Sequence, residues 1–304
     1  MNIDFKNKVA VITGAGAGLG RSHALYLAAR GAKVVVNDLG GTWDGKGDSP
    51  LPARQVVEEI RAAGGRAEAN FDSVADPESA KRIIDTALDA YGTVDILICN
   101  AGILRVKTFS KMPIEDFELI IKVHLMGTVY PTKFAFPIMC ENGYGRIVFT
   151  TSGAGLFGVW GSTNYAAAKM GIIGFMNALK LEGQRHNVLV NAIAPLASTR
   201  LAAMTSVLPD EIMPNLRPEL VSAMVSYLCS EQCRTTGDIL TAGGGYYSKV
   251  QIFEGAGVHL NPAEEITAET IAEQFARISD MTEAKGYFSA TDELENSFGP
   301  VLRG

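Results

Sequence analysis

A short β-branched run, Val9–Ile12, leads straight into Thr13-Gly14-Ala15-Gly16-Ala17-Gly18-Leu19-Gly20, and a helix-like stretch follows. Few local patterns restrict a fold so strongly. Glycines let the backbone turn tightly and bring its N–H groups close to a bound anion, and the first turn of the helix adds a favourable dipole. The spacing is T-G-x-x-x-G-x-G rather than the commoner G-x-G-x-x-G, but the physical demand is unchanged: a pyrophosphate held at a strand-to-helix turn. Gly14, Gly18, Leu19 and Gly20 are the residues expected to form that cradle.

The remainder of the chain repeats the alternation. Strand-like runs lie at Val34–Asn37, Arg66–Phe71, Ile96–Cys99, Ile147–Thr150, Val188–Ile193 and Ile239–Thr241, and helix-like stretches near 19–30, 52–63, 76–91, 114–140, 164–186 and 218–230. Strands alternating with helices predict an α/β fold: a doubly wound parallel β-sheet of about seven strands with helices on both faces. Two segments interrupt the rhythm. Leu39–Pro52, rich in Gly, Pro and Asp, reads as a loop. Beyond about residue 250, Pro262–Ile278 reads as one amphipathic helix capped by Asn261. Residues 1–250 are therefore expected to form a single catalytic domain, and 251–304 a C-terminal extension that packs on the core or on a neighbouring subunit.

Composition narrows the classes. The 304 residues carry a formal net charge of −6 with no basic stretch, which argues against a nucleic-acid partner. No apolar run is long enough to span a membrane. The start lacks a secretory pattern and the end is not of the Ser-Lys-Leu type, so the expected location is the cytoplasm. Of the four cysteines, Cys99, Cys140, Cys229 and Cys233, the last two are spaced i,i+4 on one helix face, but no histidine or second cysteine pair lies nearby; all read as free thiols, with no metal expected.

Asp38 ends the second strand. A carboxylate there can accept both ribose hydroxyls of NAD, and its charge opposes the 2′-phosphate of NADP. Asp72-Ser73 ends the third strand, where an acid can reach the adenine amino group. Asn100-Ala101-Gly102 ends the fourth, where small residues leave room for a ribose.

Tyr165 and Lys169 form Y-x-x-x-K, one helical turn apart. The pair alone decides nothing; its place does, after the strand Ile147–Thr150, thirteen residues beyond Ser152 and downstream of the glycine turn. Removing a hydroxyl proton during hydride transfer needs a base, and a free tyrosine is too weakly acidic. The Lys169 ammonium and a positively charged nicotinamide are expected to depress the Tyr165 pKa, Ser152 to hold the substrate oxygen, and Lys169 to bind the nicotinamide ribose as well.

Taken together, these residues resemble the short-chain dehydrogenase/reductase family over about residues 5–245. The resemblance implies a Rossmann-type fold, NAD as cofactor, and a homodimer or homotetramer; the small and apolar residues Ala166, Ala167, Gly171, Gly174 and Ala178 fit such packing. Asn37–Gly41, Asn100–Arg105, Val123-His124-Leu125 and Leu216–Glu219 followed by Leu228-Cys229 are similar, more narrowly, to the dehydrogenase modules of peroxisomal multifunctional enzymes type 2. That implies oxidation of a (3R)-hydroxyacyl-CoA, with 17β-hydroxysteroid oxidation as the alternative; a non-catalytic NAD-binding protein is the remote one. The chain departs from the wider family at His124, where Asn is usual and its carbonyl holds a water linking Lys to solvent. His124 can offer the same carbonyl, as a relay or simply as a packed ring. Cys99 also replaces an Asn, and Leu196 a Gly. By resemblance, Pro195, Ala197 and Thr199 contact the nicotinamide amide, and Leu201–Met213 forms an apolar lid. Arg105, Lys107, Arg200 and Arg217 are candidates for CoA phosphates.

Overall fold

The computed structural model describes residues 3–197 and 212–302, the last four by backbone alone. The strands are β1 (Val9–Thr13), β2 (Lys33–Asn37), β3 (Arg66–Asn70), β4 (Ile96–Cys99), β5 (Gly145–Thr150), β6 (Val188–Pro195), β7 (Ile239–Gly243) and β8 (Tyr246–Val250). They form one sheet in the order β3-β2-β1-β4-β5-β6-β7-β8, parallel from β3 through β7. The eighth strand returns through the two-residue turn Gly244-Gly245, both at positive φ (59° and 84°), as a tight hairpin requires. Because the tail was read as starting at about this point, β8 was not among the expected strands.

The helices are α1 (Gly18–Ala28), α2 (Leu51–Ala62), α3 (Pro77–Tyr91), α4 (Ile114–Ile120), α5 (Gly127–Glu141), α6 (Gly153–Phe157), α7 (Thr163–Gly183) and α8 (Pro218–Cys229), then α9 (Ala268–Ile278) and α10 (Ala290–Leu302). Alternate strand residues explain the near-continuous apolar runs, since both faces of the sheet are covered. Ile12, Val34, Val36, Ile98, Val148 and Ile193 pack with Leu27 of α1, Val56 and Ile60 of α2, and Val221, Val225 and Leu228 of α8. The helices α3, α5 and α7 pack against the sheet and one another. The stretch expected as one helix over 114–140 is broken by a π turn, Ile121–Met126, between α4 and α5.

The chain divides into two compact units, Met1–Lys249 and Val250–Gly304. Within the second, α9 begins later than the sequence suggests. Thr267, not Asn261, is its cap, accepting from Thr270 N–H, while Asn261 closes a separate turn through Ala263 N–H (3.1 Å). Among the described residues, no helix is long and apolar enough to cross a membrane.

Polar groups tie the layers together away from the sheet's C-terminal edge. Arg146, fully buried at the start of β5, donates to the carbonyls of Gly145 (2.8 Å), Asn187 (3.0 Å) and Ser230 (3.2 Å). On α1, His23 Nδ1 bonds Ser222 Oγ of α8 at 2.8 Å, and Ser22 meets the same hydroxyl at 2.7 Å. Burial pushes His23 down from 6.5 to about 3, and His124 likewise. Both rings are therefore neutral in the fold while the unfolded chain takes up protons below pH 6.5. Their stabilising contribution is complete above that value and is lost as pH falls toward 3, at about 1.4 kcal/mol per pH unit for each ring. Urea unfolding should lose roughly 2–3 kcal/mol between pH 6 and 5, and His23→Gln should about halve that slope; an unchanged slope would show that His23 is not neutral in the folded state.

Candidate active site

A cavity of about 500 Å³ opens where the C-terminal ends of the strands meet, at the reversal of strand order between β1 and β4. The glycine turn forms one wall. Gly14 and Gly18 have φ of 63° and 54°, which only glycine adopts freely, and a Cβ on Gly14 would come within 2.7 Å of Ala101 Cα. A Cβ on Gly16 would meet the Asp38 carboxylate at 2.8 Å. Gly20 is not a wall of the cavity; a Cβ there would collide with the Gly14 carbonyl, so its smallness serves the approach of α1 to the turn. No side chain caps α1 and no acid stands in its first turn, which leaves backbone donors available for an anion.

Thr13 and Asn100 clip this turn to the end of β4. Thr13 Oγ1 accepts the N–H groups of Asn100 (3.0 Å) and Ala101 (3.1 Å), and Asn100 Nδ2 donates to the carbonyls of Thr13 and Gly14, both at 3.1 Å. Asp38 faces the cavity with its carboxylate held by Gly16 N–H and Gly40 N–H, each at 2.7 Å. Asp72 and Ser73 also line it, but the Asp72 carboxylate is already engaged by Arg82 Nε (2.7 Å) and Asn70 Nδ2 (2.9 Å). Pro195, Ala197, Asn100, Ala101, Gly102 and Leu19 complete the set that sequence placed here. Thr199, Arg200 and most of the stretch expected as a lid, Leu201–Met213, lie outside the described residues. These donors, the turn and the fixed carboxylate fit a dinucleotide.

The chemical groups enter from β5 and α7. Ser152 caps the short α6, accepting Ala154 N–H at 3.1 Å, and its hydroxyl is near enough to the Tyr165 phenol to favour the phenolate. Lys169 is buried, donates from Nζ to the Thr150 carbonyl (2.6 Å) and lies 5.6 Å from the Tyr165 ring centre. Ser152, Tyr165, Lys169 and His124 all line the cavity. The expected depression of the Tyr165 pKa does not come from the protein alone. Burial raises it, opposed only by the Ser152 bond, and burial lowers Lys169 to about 7. Desolvation is the leading cause for both groups, and neither shift is set by the other.

His124 lies in the π turn, a feature that recurs at functional sites. Its ring meets Tyr165 edge-on (centroids 5.0 Å apart, 84°), and its Nε2 reaches Ile103 O at 2.7 Å. The His124 carbonyl already accepts the Thr128 hydroxyl at 2.8 Å, while Nδ1 is buried with no hydrogen-bond partner among the described residues. Cys99 is buried in β4 with its thiol toward Thr128 and Thr132, as its strand position suggests. One expectation is corrected: Arg105 is not free for phosphates, because its guanidinium pairs with Asp116 at 2.5 Å and donates to the Asp44 carbonyl at 3.0 Å. Sequence reasoning missed Thr13 and Asn164. Asn164 is fully buried, donates to the carbonyls of Arg105 (3.1 Å) and Asp116 (3.4 Å), and accepts Tyr165 N–H (2.7 Å). Its position directly before Tyr165, at a helix start, was the available signal.

Residues 8–208 match the family described as short chain dehydrogenase. A short-chain type dehydrogenase/reductase of Mycobacterium tuberculosis is 46% identical over 280 residues, covering 92% of this chain and 96% of that protein. Peroxisomal multifunctional enzyme type 2 of Drosophila melanogaster is 45% identical over 300 residues, covering 98% of this chain but 49% of that protein. The chain thus spans nearly all of the first relative and about half of the second. The solved full-length Drosophila enzyme superposes with a TM-score of 0.82 (37% identity, 99% of this chain, 50% of that one). A 7α-hydroxysteroid dehydrogenase complexed with NADH and 7-oxo glycochenodeoxycholic acid superposes with a TM-score of 0.71 (31% identity, 80% of this chain, 96% of that one). Fold, cavity and likeness agree: the chain belongs to the short-chain dehydrogenase family of oxidoreductases acting on CH–OH groups.

Proposed function

We propose that this chain is an NAD-dependent dehydrogenase that converts a (3R)-hydroxyacyl-CoA to the 3-ketoacyl-CoA. The observation that carries the reading is the convergence of Ser152, Tyr165 and Lys169 on the cavity that also holds the glycine turn and Asp38. The substrate class is supported by the likeness to peroxisomal multifunctional enzymes type 2 and to a Saccharomyces cerevisiae hydratase-dehydrogenase-epimerase, 44% identical over 280 residues. Apolar residues on the same cavity, among them Ile103, Leu119, Val123 and Val159, suit a lipophilic chain.

In this reading the oxidised nicotinamide, when bound, supplies hydride acceptance. The protein handles the proton. Ser152 would orient the alcohol oxygen, Tyr165 in its phenolate form would take the proton, and Lys169, anchored on the Thr150 carbonyl, would favour that phenolate when protonated. The cofactor ribose would engage Asp38, whose orientation two backbone N–H groups already fix. A hydroxysteroid substrate is the second reading, favoured by the similarity to the 7α-hydroxysteroid dehydrogenase.

The protein is also proposed to be a homodimer or homotetramer. Ala167, Met170, Gly174, Ala178 and Leu181 form an exposed stripe of small and apolar residues along α7, where helices could approach closely.

Initial rates of NADH formation with (3R)- and (3S)-hydroxyacyl-CoA and with hydroxysteroids test the substrate assignment. Turnover of the (3R) thioester is expected; turnover of steroids alone selects the second reading. Tyr165→Phe should lower kcat by about 10²–10⁴-fold while NADH binding, followed by fluorescence, stays unchanged. Asp38→Ala should shift the NAD/NADP ratio of kcat/KM toward NADP by at least ~10-fold, because the repelling charge is gone; an unmoved ratio would place cofactor choice elsewhere. Light scattering should give a mass at least twice the 32.4 kDa of one chain, and a monomer would refute the assembly.

A further inference from the structure

The segment between β2 and α2, residues 39–50, leaves the end of β2 beside Asp38 and does not stay on that side of the sheet. It reaches the segment that follows β4, so it passes across the end of β1, where the glycine turn lies. Gly41, Thr42, Trp43, Gly45 and Gly47 all face the cavity. The crossing is closed at its far end. Leu104 N–H donates to the Trp43 carbonyl at 2.9 Å, Arg105 Nε donates to the Asp44 carbonyl at 3.0 Å, and Gly45 lies so close to Ile103 that a Cβ would come 2.8 Å from its Cδ1. Its near end is tied to Asp38 through Gly40 N–H. A dinucleotide seated on the glycine turn would lie beneath this strap.

Arg105 is the only charged side chain among those three contacts, and its own position is fixed from behind. Its Nη1 pairs with Asp116 of α4, both groups being roughly three-quarters buried (26% and 20% exposed), and its carbonyl accepts the amide of the fully buried Asn164. A guanidinium held in this way donates with little further loss of side-chain freedom, and its charge-assisted bond is stronger than a neutral one. Elsewhere the strap is stabilised mainly by its own turn: Thr42 N–H to the Lys46 carbonyl (2.9 Å) and Ser49 N–H to the Leu39 carbonyl (2.9 Å).

We propose that Arg105 is a positioning residue for the cofactor: it latches the strap of residues 39–50 over the dinucleotide cleft and so sets how long the cofactor stays bound. The proposal rests on the dinucleotide reading of the cavity. Arg105 touches neither cofactor nor substrate; it acts through the Asp44 carbonyl and the strap.

The test is NADH dissociation from the full-length protein by stopped-flow fluorescence, with equilibrium affinity measured alongside. Arg105→Met should speed dissociation about 10-fold and weaken NADH binding in proportion, and Arg105→Lys, which retains the charge without the fork, should recover part of the loss. Gly45→Val, at a φ of 85° and against Ile103, distorts the strap through its own backbone and through that contact while leaving Arg105 and Asp116 unchanged, and should shift dissociation in the same direction; it keeps the test open if Arg105→Met does not fold. Wild-type dissociation rates in folded Arg105→Met, or in Gly45→Val when Arg105→Met is unfolded, would overturn the latch, even if melting temperatures fall. Failure of the wild-type protein to bind NADH would instead sink the dinucleotide reading itself.

Discussion

The structure depends on one close approach, the backbone of the glycine turn against the end of β4. Thr13 and Asn100 hold it with four hydrogen bonds, and Gly14 leaves no Cβ to obstruct Ala101. From this contact the rest of the cavity takes its position. Asp38 is aimed by Gly16 N–H of the same turn, α1 starts where the turn ends, and the segment after β4 carries Gly102 against the His124 ring. A side chain at Gly14 would therefore separate two strands and displace the carboxylate and the helix start with them. The site is a consequence of sheet packing more than an addition to it.

A second constraint is electrostatic. Lys169 is buried with the Thr150 carbonyl as its Nζ partner among the described residues, and Tyr165 beside it lies where burial disfavours the phenolate. Each group would be more readily charged in water than here. Such a pair is poised rather than charged, and a nearby positive charge in the cleft would favour the phenolate while a neutral one would not. Ser152 already pulls in that direction through its hydroxyl. The chain thus places the proposed base in surroundings where its ionisation would respond to what lies in the cleft, as acid–base groups in enzymes commonly do.

How much of this was legible depends on the range of each signal. The glycine turn, Asp38 at a strand end and the Tyr165–Lys169 spacing are local patterns, and the structure brings them into one cavity as the sequence implied. Pairings between distant segments left no trace in periodicity. Asn100 with Thr13, 87 residues apart, and His23 with Ser222, 199 apart, become visible only when the strand order is known. Arg105 shows the hazard of reading charge without partners. One of four basic residues that the sequence offers for phosphates, it has its charge paired with Asp116 and its Nε–H given to the Asp44 carbonyl. The loop expected over Leu39–Pro52 is one as far as Pro50, where α2 takes over, but its composition could not tell which wall of the cleft it would reach. Similarly, Thr267 displaced Asn261 as a helix cap because Asn261 had its own turn to close.

The two halves of the cavity also differ in kind, and that difference explains why reaction class is easier to infer than substrate. The dinucleotide half is built from backbone groups and fixed polar side chains, each satisfied in a particular geometry, and a ligand lacking the matching groups would leave them unpaired. The substrate half is walled largely by Ile103, Leu104, Leu119, Val123 and Val159. Apolar walls discriminate weakly, at about 1–3 kcal/mol for a methylene gained or lost, and they admit an acyl chain or a steroid ring system on similar terms. In the proposed reading, Ser152 and Tyr165 would recognise the carbinol, which both proposed substrate classes share. On that reading, whatever separates a thioester from a steroid would lie beyond the carbinol, and among the described residues Lys107 and Arg217 are exposed cations that could serve there, while Arg105 is paired with Asp116.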